Sequence, residues 1–139
     1  MDYIRMENNA ILFENDGEVL RIEPWGKDSL RVRAAMMREI QDTDYALLPA
    51  GETEAVIQIK DGFTGSITNG RITACLEVCQ WKKRCQISFY NQKGELLLKE
   101  AGHGGALNNH SRHFRPRLGG DYELTVTFQA REEEKLFGM

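Results

Sequence analysis

The chain has 139 residues, of which 41% are hydrophobic and 28% charged, and its 18 basic and 21 acidic side chains give a net charge of −3. This composition predicts one soluble globular domain, and the acidic balance argues against a nucleic-acid partner, which normally meets a basic surface. No apolar run reaches about 18 residues, so the sequence predicts no membrane span and no membrane partner. The N-terminus lacks the apolar core of a secretion signal, and three cysteines are typical of a reduced, cytoplasmic setting.

The predicted elements are strands, recognised by apolar residues at every second position. In chain order, the alternating segments are 29–34, 55–60, 71–79, 84–90 and 121–130. The last is the clearest, because Tyr122, Leu124, Val126 and Phe128 share one face and polar side chains share the other. Segment 33–42 alone suggests a helix, and its first half continues a strand pattern.

Turn signals separate these segments at short intervals. They include Asn15-Asp16-Gly17, Lys60-Asp61-Gly62 and Asn69-Gly70, and the last is a strong hairpin signal because both central residues need positive φ. Short strands with frequent turns predict an all-β fold, an antiparallel β-sandwich of about eight to ten strands that occupies residues 1–139 as a single domain.

Residues 100–120 depart from this pattern and predict a long loop. The segment holds five glycines and all three histidines of the chain, His103, His110 and His113. Their spacing matches no standard zinc site, so we expect no metal and interpret the segment as a polar surface loop. Loops of this length inside a compact domain are usually functional or disordered.

The cysteines and the large aromatic residues are weaker candidates for a site. Cys75 and Cys79 lie roughly 13 Å apart along one strand and cannot form a disulfide with each other, and Cys85 follows a turn, so free thiols are predicted. Four aromatic side chains could stack on a sugar ring, although most such residues pack in a core: Trp25, Trp81, Tyr90 and Phe114. No carboxylate pair, phosphate loop or dinucleotide motif is evident, so no catalytic residue and no cofactor are predicted.

The C-terminal segment carries a family resemblance. His113 to Pro116 lead into an alternating strand, which an acidic stretch and the run from Glu134 to Met139 follow. Together with the opening "DGEVLRIEPWGKDSLRVRA" and the hairpin "ISFYNQKGELLLKE", this order resembles the N-terminal domain of glycoside hydrolase family 31, most of all its α-xylosidase and α-glucosidase branches. The chain stops just before the second glycine of the terminal signature, where the family continues into its catalytic domain.

The resemblance implies a galactose-mutarotase-like sandwich, also called a supersandwich, and a division of labour. The nucleophile and the acid/base of the family are aspartates on a (β/α)8 barrel, which is absent from this chain. We therefore expect a domain that is inactive alone, packs on the barrel of its parent and shapes a pocket for an α-linked oligosaccharide. The expected barrel-facing residues belong to the terminal signature: Glu134, Leu136, Phe137 and Gly138.

The long loop is the expected substrate-facing part. In several family members it carries an Asp-Thr pair that touches sugar, but Lys99 and Glu100 stand at the matching positions here, so those contacts do not carry over. The predicted pocket-loop residues are Glu100, His103, Asn108, His110 and His113. An exposed apolar patch on the barrel-facing side would also favour homo-oligomers.

Three other interpretations stay open from the sequence. A free-standing carbohydrate-binding module would need an exposed aromatic platform. A small aldose epimerase would need His103 or His110 to converge with Glu100. A scaffolding sandwich without any site overlaps with the main hypothesis.

Overall fold

The structure is a computed structural model that describes residues 2–41, 51, 53–80, 83–101 and 111–129. Within these ranges the chain forms β-strands only, numbered β1 to β11. None of the described residues belongs to a helix long and apolar enough for a membrane span.

The first sheet is a four-stranded antiparallel meander in the order β1-β2-β3-β4. Its strands are β1 (Ile4–Glu7), β2 (Ala10–Asn15), β3 (Glu18–Pro24) and β4 (Leu30–Met36). Along β3 every second side chain is buried, which is the period expected of a strand with one face on a core.

The second sheet is a five-stranded antiparallel meander in the order β5-β6-β7-β8-β9. Its strands are β5 (Val56–Asp61), β6 (Thr64–Asn69), β7 (Ile72–Val78), β8 (Cys85–Asn91) and β9 (Leu96–Lys99). A separate two-stranded antiparallel sheet follows, made of β10 (Arg112–Pro116) and β11 (Tyr122–Val126).

The core lies between the first and second sheets. Fully buried apolar side chains come from both inner faces: Ile11, Phe13, Leu20 and Ile22 from the first sheet, and Ile67, Ala74, Leu76 and Ile87 from the second. One end of this core is closed by the rings of Tyr3 and Phe63, which meet edge to face with centroids 5.4 Å apart. Burial of the two apolar faces against each other is what holds the sandwich together.

The all-β antiparallel sandwich predicted from the sequence is confirmed. The five alternating segments correspond to β4, β5, β7, β8 and β11. The Asn69-Gly70 signal lies at the hairpin between β6 and β7, but Asn69 is the last residue of β6, paired with Ile72, and only Gly70 has the positive φ expected of both. The suggestion of a helix over 33–42 is wrong for its described part, because residues 33–36 belong to β4 and residues 37–41 are not helical.

The alternating pattern did not predict the β1–β2 hairpin. Its turn is Asn8-Asn9, and both residues have positive φ, 47° and 60°. Asparagine adopts this conformation more readily than most residues, so the Asn-Asn pair was the available signal.

Candidate functional site

The two ends of the predicted pocket loop meet at one residue, Thr127, which directly follows β11. The Ala101 N–H donates to the Thr127 carbonyl oxygen at 2.8 Å, and the Thr127 N–H donates to the Ser111 carbonyl oxygen at 2.8 Å. Glu100, the residue before the first end, is bridged to Phe128 and donates its N–H to Ile87 at 2.9 Å. The base of the loop is therefore fixed to both β8 and the end of β11.

Arg112, the first residue of β10, places a guanidinium inside the sandwich. Its Nη2 lies 2.8 Å from Glu18 Oε1 and donates to the Cys85 carbonyl oxygen at 2.8 Å, while Nη1 donates to Glu100. Arg112, Glu18 and Glu100 are 3%, 4% and 2% exposed. We call these three residues the buried charge cluster. It connects the first sheet, the second sheet and the β10–β11 hairpin at one point.

The cluster is held by hydrogen bonds as well as by charge. Glu100 Oε1 also accepts the Ile87 N–H at 2.9 Å, and the Glu100 carbonyl oxygen accepts from Gln86 Nε2 at 2.8 Å. Burial by itself lowers the pKa of Arg112, but the adjacent Glu18 and Glu100 carboxylates outweigh burial and raise that pKa above its ordinary value. Arg112 is therefore a permanent cation. Its guanidinium faces two buried acidic side chains, which need a positive charge beside them.

A cleft of about 210 Å³ opens beside the cluster. Its wall combines charged and polar groups with one half-buried aromatic ring: Asn15, Asp16, Lys83, Arg84, His113 and Phe114, with Arg112 and Glu18 at the base. Lys83 is held in place because its carbonyl oxygen accepts from Asn15 Nδ2 at 3.1 Å and its ammonium lies 5.1 Å from the Phe63 ring centroid.

The chemistry available at this site is limited. A glycosidase needs two carboxyl groups that are free to act on one bond. The carboxylates of Glu18 and Glu100 both pair with one guanidinium inside the protein, so neither is available as an acid, a base or a nucleophile. The cluster thus organises structure at the foot of the loop, and the cleft beside it offers charged, polar and aromatic contacts.

The long loop predicted over residues 100–120 is wrong for part of its length, because β10 occupies Arg112–Pro116. Of the predicted loop residues, only two belong to the described part of the chain. Glu100 lies in the buried charge cluster, and His113 is exposed on β10 at the cleft. His103, Asn108 and His110 lie outside the described residues, as do the signature residues Glu134, Leu136, Phe137 and Gly138. Their roles stay predictions.

The candidate sugar-stacking aromatics differ in their surroundings. Trp25 is half-buried, and the Arg31 guanidinium lies 4.4 Å from its ring centroid, so one ring face is already covered by a cation. Tyr90 is half-buried on β8, Phe114 lines the cleft, and Trp81 lies outside the described residues.

The three cysteines all lie within the described residues and none of them forms a disulfide: Cys75 is half-buried, Cys79 exposed and Cys85 buried. Burial raises the pKa of Cys85 to about 12, the nearby Arg112 charge opposes this, and the Glu100 and Glu18 carboxylates add to it. Across the part of the chain that the structure describes, no three His, Cys, Asp or Glu side chains come together in a way that could hold a metal ion.

Two members of the buried charge cluster, Glu18 and Arg112, were not singled out from the sequence. A signal for Glu18 was present, because it stands in phase with Leu20 and Ile22 on the core-facing side of β3. A carboxylate on the buried face of a strand needs a cationic partner. The partner could not be inferred, because Arg112 lies 94 residues further along the chain.

Comparison with known proteins gives matches in both sequence and structure. The chain is 41% identical to an uncharacterised family 31 glucosidase of Pseudescherichia vulneris, over 94% of this chain and 27% of that protein. Its fold matches a crystal structure of a family 31 α-xylosidase from a soil metagenome complexed with xylose, with a TM-score of 0.82 and 32% identity over 94% of this chain. The chain resembles the N-terminal domain of the family 31 glycoside hydrolases.

The match concerns only a part of these enzymes. The chain spans 27% of the glucosidase and 21% of the α-xylosidase. The matched fraction of these enzymes does not include the catalytic barrel. No family model matches the chain.

Proposed function

We propose that the chain is the N-terminal, non-catalytic β-sandwich domain of a retaining family 31 α-glycosidase. The observation that carries this proposal is the agreement of sequence and fold with two family 31 enzymes over 94% of the chain. The buried charge cluster is consistent with it, because the two carboxylates at the foot of the loop, Glu18 and Glu100, are both paired with Arg112.

In this proposal the domain packs on the catalytic barrel and contributes the wall of the substrate pocket. The loop that begins after Glu100 and ends before Arg112 is the proposed contribution, since both of its ends are fixed to the sandwich. The names of the two matched enzymes favour a terminal α-xyloside or α-glucoside as substrate of the parent. Free thiols at all three cysteines accord with a cytoplasmic enzyme, which is part of the same proposal.

The test compares the complete reading frame with the 139-residue chain. Both proteins are assayed with 4-nitrophenyl α-xyloside and 4-nitrophenyl α-glucoside, and the anomer released first is identified by NMR. We expect the full protein to turn over at least one substrate and release the α-anomer first, and the chain alone to show no turnover. A folded full protein inactive on both substrates, or turnover by the repurified chain in proportion to its concentration, would overturn the proposal.

Isothermal titration calorimetry of the 139-residue chain with oligosaccharides tests the alternative that the chain is a free-standing carbohydrate-binding module. We expect no heat of binding, because one face of Trp25 is covered by Arg31, and of the two aromatic rings that line the cleft, Phe13 and Phe114, Phe13 is only 1% exposed. Saturable binding to the isolated chain would favour the module instead.

A further inference from the structure

The methionine that follows β4 has an unusual backbone conformation. Met37 has a φ of 59°, in the left-handed region that few residues other than glycine, asparagine and aspartate adopt. Its N–H donates to the Gly17 carbonyl oxygen at 2.7 Å, which ties the end of β4 to the turn between β2 and β3. Because a strained residue keeps such a conformation only where its surroundings hold it, the contacts of Met37 maintain the direction of the chain after β4.

The thioether of Met37 supplies one of these contacts. The side chain lies so close to the Cα of Gly17 that a Cβ there would collide with Met37 Sδ, and it would also lie only 3.1 Å from Met36 Sδ. Gly17 has a φ of 86°, so the turn itself favours a residue without a side chain. Two sulfur atoms thus converge on one glycine and fill the space beside the turn.

The described methionines differ in their access to solvent. Met37 is 72% exposed, whereas Met36 is half-buried on β4 and lines the cleft beside the buried charge cluster. Met6 is 62% exposed, but it lies within the regular strand β1. Among the methionines that the structure describes, Met37 therefore combines the greatest exposure with a contact on which the path of the backbone depends.

Arg38 connects Met37 to the β10–β11 hairpin. Arg38 directly follows Met37 and donates through Nη2 to the Gly120 carbonyl oxygen at 2.8 Å, and the same nitrogen lies 3.6 Å from Asp121 Oδ1. Both partners belong to the turn between β10 and β11. Since the backbone at Met37 determines where the next residue points, a change of conformation at Met37 moves Arg38 away from the hairpin.

We propose that Met37 is a modification site at which oxidation of the thioether loosens the contact between the first sheet and the β10–β11 hairpin. The oxidant is a peroxide. The Met37 Sδ lone pair attacks one peroxide oxygen, a sulfur–oxygen bond forms, and the oxygen–oxygen bond breaks. With hydrogen peroxide, the departing hydroxide takes up the proton of the transferred oxygen and leaves as water. The thioether is oxidised by two electrons and the peroxide is reduced by two.

The sulfoxide does not fit the contact that the thioether makes. It is polar and carries an additional oxygen on Sδ, and packing it against the Gly17 Cα and the Met36 thioether would remove water from a polar group without replacing its hydrogen bonds. The modified side chain turns to solvent, the left-handed backbone of Met37 loses its support, and Arg38 leaves Gly120. Methionine sulfoxide reductases reverse the oxidation, so the change is reversible. This inference does not depend on the proposed function.

The test treats the 139-residue chain with hydrogen peroxide and follows two quantities. Peptide mass spectrometry measures the sulfoxide at each methionine, and hydrogen exchange measures the protection of the β10 amides. We expect Met37 to be oxidised before Met36, and the β10 amides to exchange faster in proportion to the Met37 sulfoxide, while the amides of β7 in the core keep their rates. Incubation with the reductases should restore the original exchange rates.

Four variants locate the effect. Met37→Leu cannot form a sulfoxide and should keep the β10 amides protected during the same treatment, whereas Met6→Leu, the matched control, should respond as the wild type does. Met37→Gln imitates the polar oxidised side chain and should accelerate β10 exchange without any oxidant. Arg38→Gln should accelerate it to a similar extent and leave the oxidation rate of Met37 unchanged.

Three results would overturn the inference. Complete oxidation of Met37 with unchanged β10 exchange would show that the thioether does not hold the hairpin contact. Equal acceleration by peroxide in Met37→Leu would assign the effect to another methionine. Unchanged β10 exchange in both Met37→Gln and Arg38→Gln would show that the segment after β4 does not stabilise the hairpin.

Discussion

Arg112 contacts residues of the first sheet, the second sheet and the β10–β11 hairpin to which it belongs. Its guanidinium is 3% exposed and binds two carboxylates and a carbonyl oxygen. Removing one partner of such a cluster leaves buried charges without compensation, and the cost is far larger than that of losing a surface ion pair.

We expect Arg112→Met to lower the free energy of unfolding by about 3–5 kcal/mol, because Glu18 and Glu100 would stay buried without a counter-charge. The measurement is urea denaturation at neutral pH. Arg115→Met, an exposed position on the same strand, should change the value by less than about 0.5 kcal/mol. Similar losses from the two variants would contradict the role of the cluster.

A triple variant separates unpaired charge from lost packing. Glu18→Leu and Glu100→Met, added to Arg112→Met, should recover much of the lost stability, since replacing a whole buried ion cluster with apolar residues is often neutral. If the triple variant is no more stable than Arg112→Met alone, the loss arises from packing.

The buried Cys85 thiol makes the free energy of unfolding depend on pH in the alkaline range. Burial raises the pKa of this thiol from 9.0 to about 12 in the folded state. Between these values the folded chain keeps a proton that the unfolded chain has lost. The contribution of Cys85 to stability is therefore complete below pH 9 and is lost progressively as the pH rises toward 12.

Denaturation curves from pH 7.5 to 10.5 test this dependence. The stability difference between wild type and Cys85→Ala should shrink as the pH rises, because only the wild type carries this titration. A difference that stays constant over the range would show that the thiol has an ordinary pKa.

In the native protein at neutral pH, iodoacetamide should modify the exposed Cys79 first and Cys85 last.

At the scale of elements, the β6–β7 hairpin docks onto the connection between β3 and β4. Asn69 is 3% exposed and donates through Nδ2 to the carbonyl oxygens of Gly26 at 3.0 Å and Ser29 at 2.7 Å. The Arg71 N–H donates to Asp28 Oδ1 at 3.0 Å. The two sheets are thereby joined at this end by a turn as well as by the core.

Gly70 is required at this contact. Its φ is +60°, and a Cβ there would lie 2.6 Å from the Lys27 carbonyl oxygen and would also collide with Asp28. We expect Gly70→Ala to lower the thermal midpoint clearly more than Gly94→Ala, since Gly94 shares a positive φ of +80° but has open space around it. Equal shifts in thermal denaturation would show that the backbone conformation alone sets the cost and that the docked turn adjusts freely.

At the scale of the whole molecule, burial is uneven. Side chains between the two main sheets are almost fully buried, such as Leu20, Ile22, Ala74 and Leu76, whereas every residue of β11 is exposed. Local opening costs least where few apolar contacts hold a strand.

Hydrogen exchange should reproduce this gradient. In the 139-residue chain we expect the amides of β3 and β7 to exchange slowest and those of β11 to exchange much faster. Protection of β11 equal to that of β7 in the chain alone would contradict the described gradient.

The sequence by itself determined the fold class and the positions of five of the eleven described strands. Alternation and turn chemistry are local properties, so they could be read from neighbouring residues in the segments that became β4, β5, β7, β8 and β11. The residues from His113 onward also carried the family resemblance that the sequence and structure matches confirm.

The tertiary structure decided which of these elements are joined by ion pairs and which of their faces are buried. Glu18 and Arg112 are 94 residues apart, and nothing local links them; only the meeting of three sheets brings them to one point. The sequence predicted which face of β11 is apolar. How deeply the side chains of that face are buried depends on residues that are distant in sequence. Long-range contact and burial are properties of the assembled sandwich, which is why local patterns could not supply them.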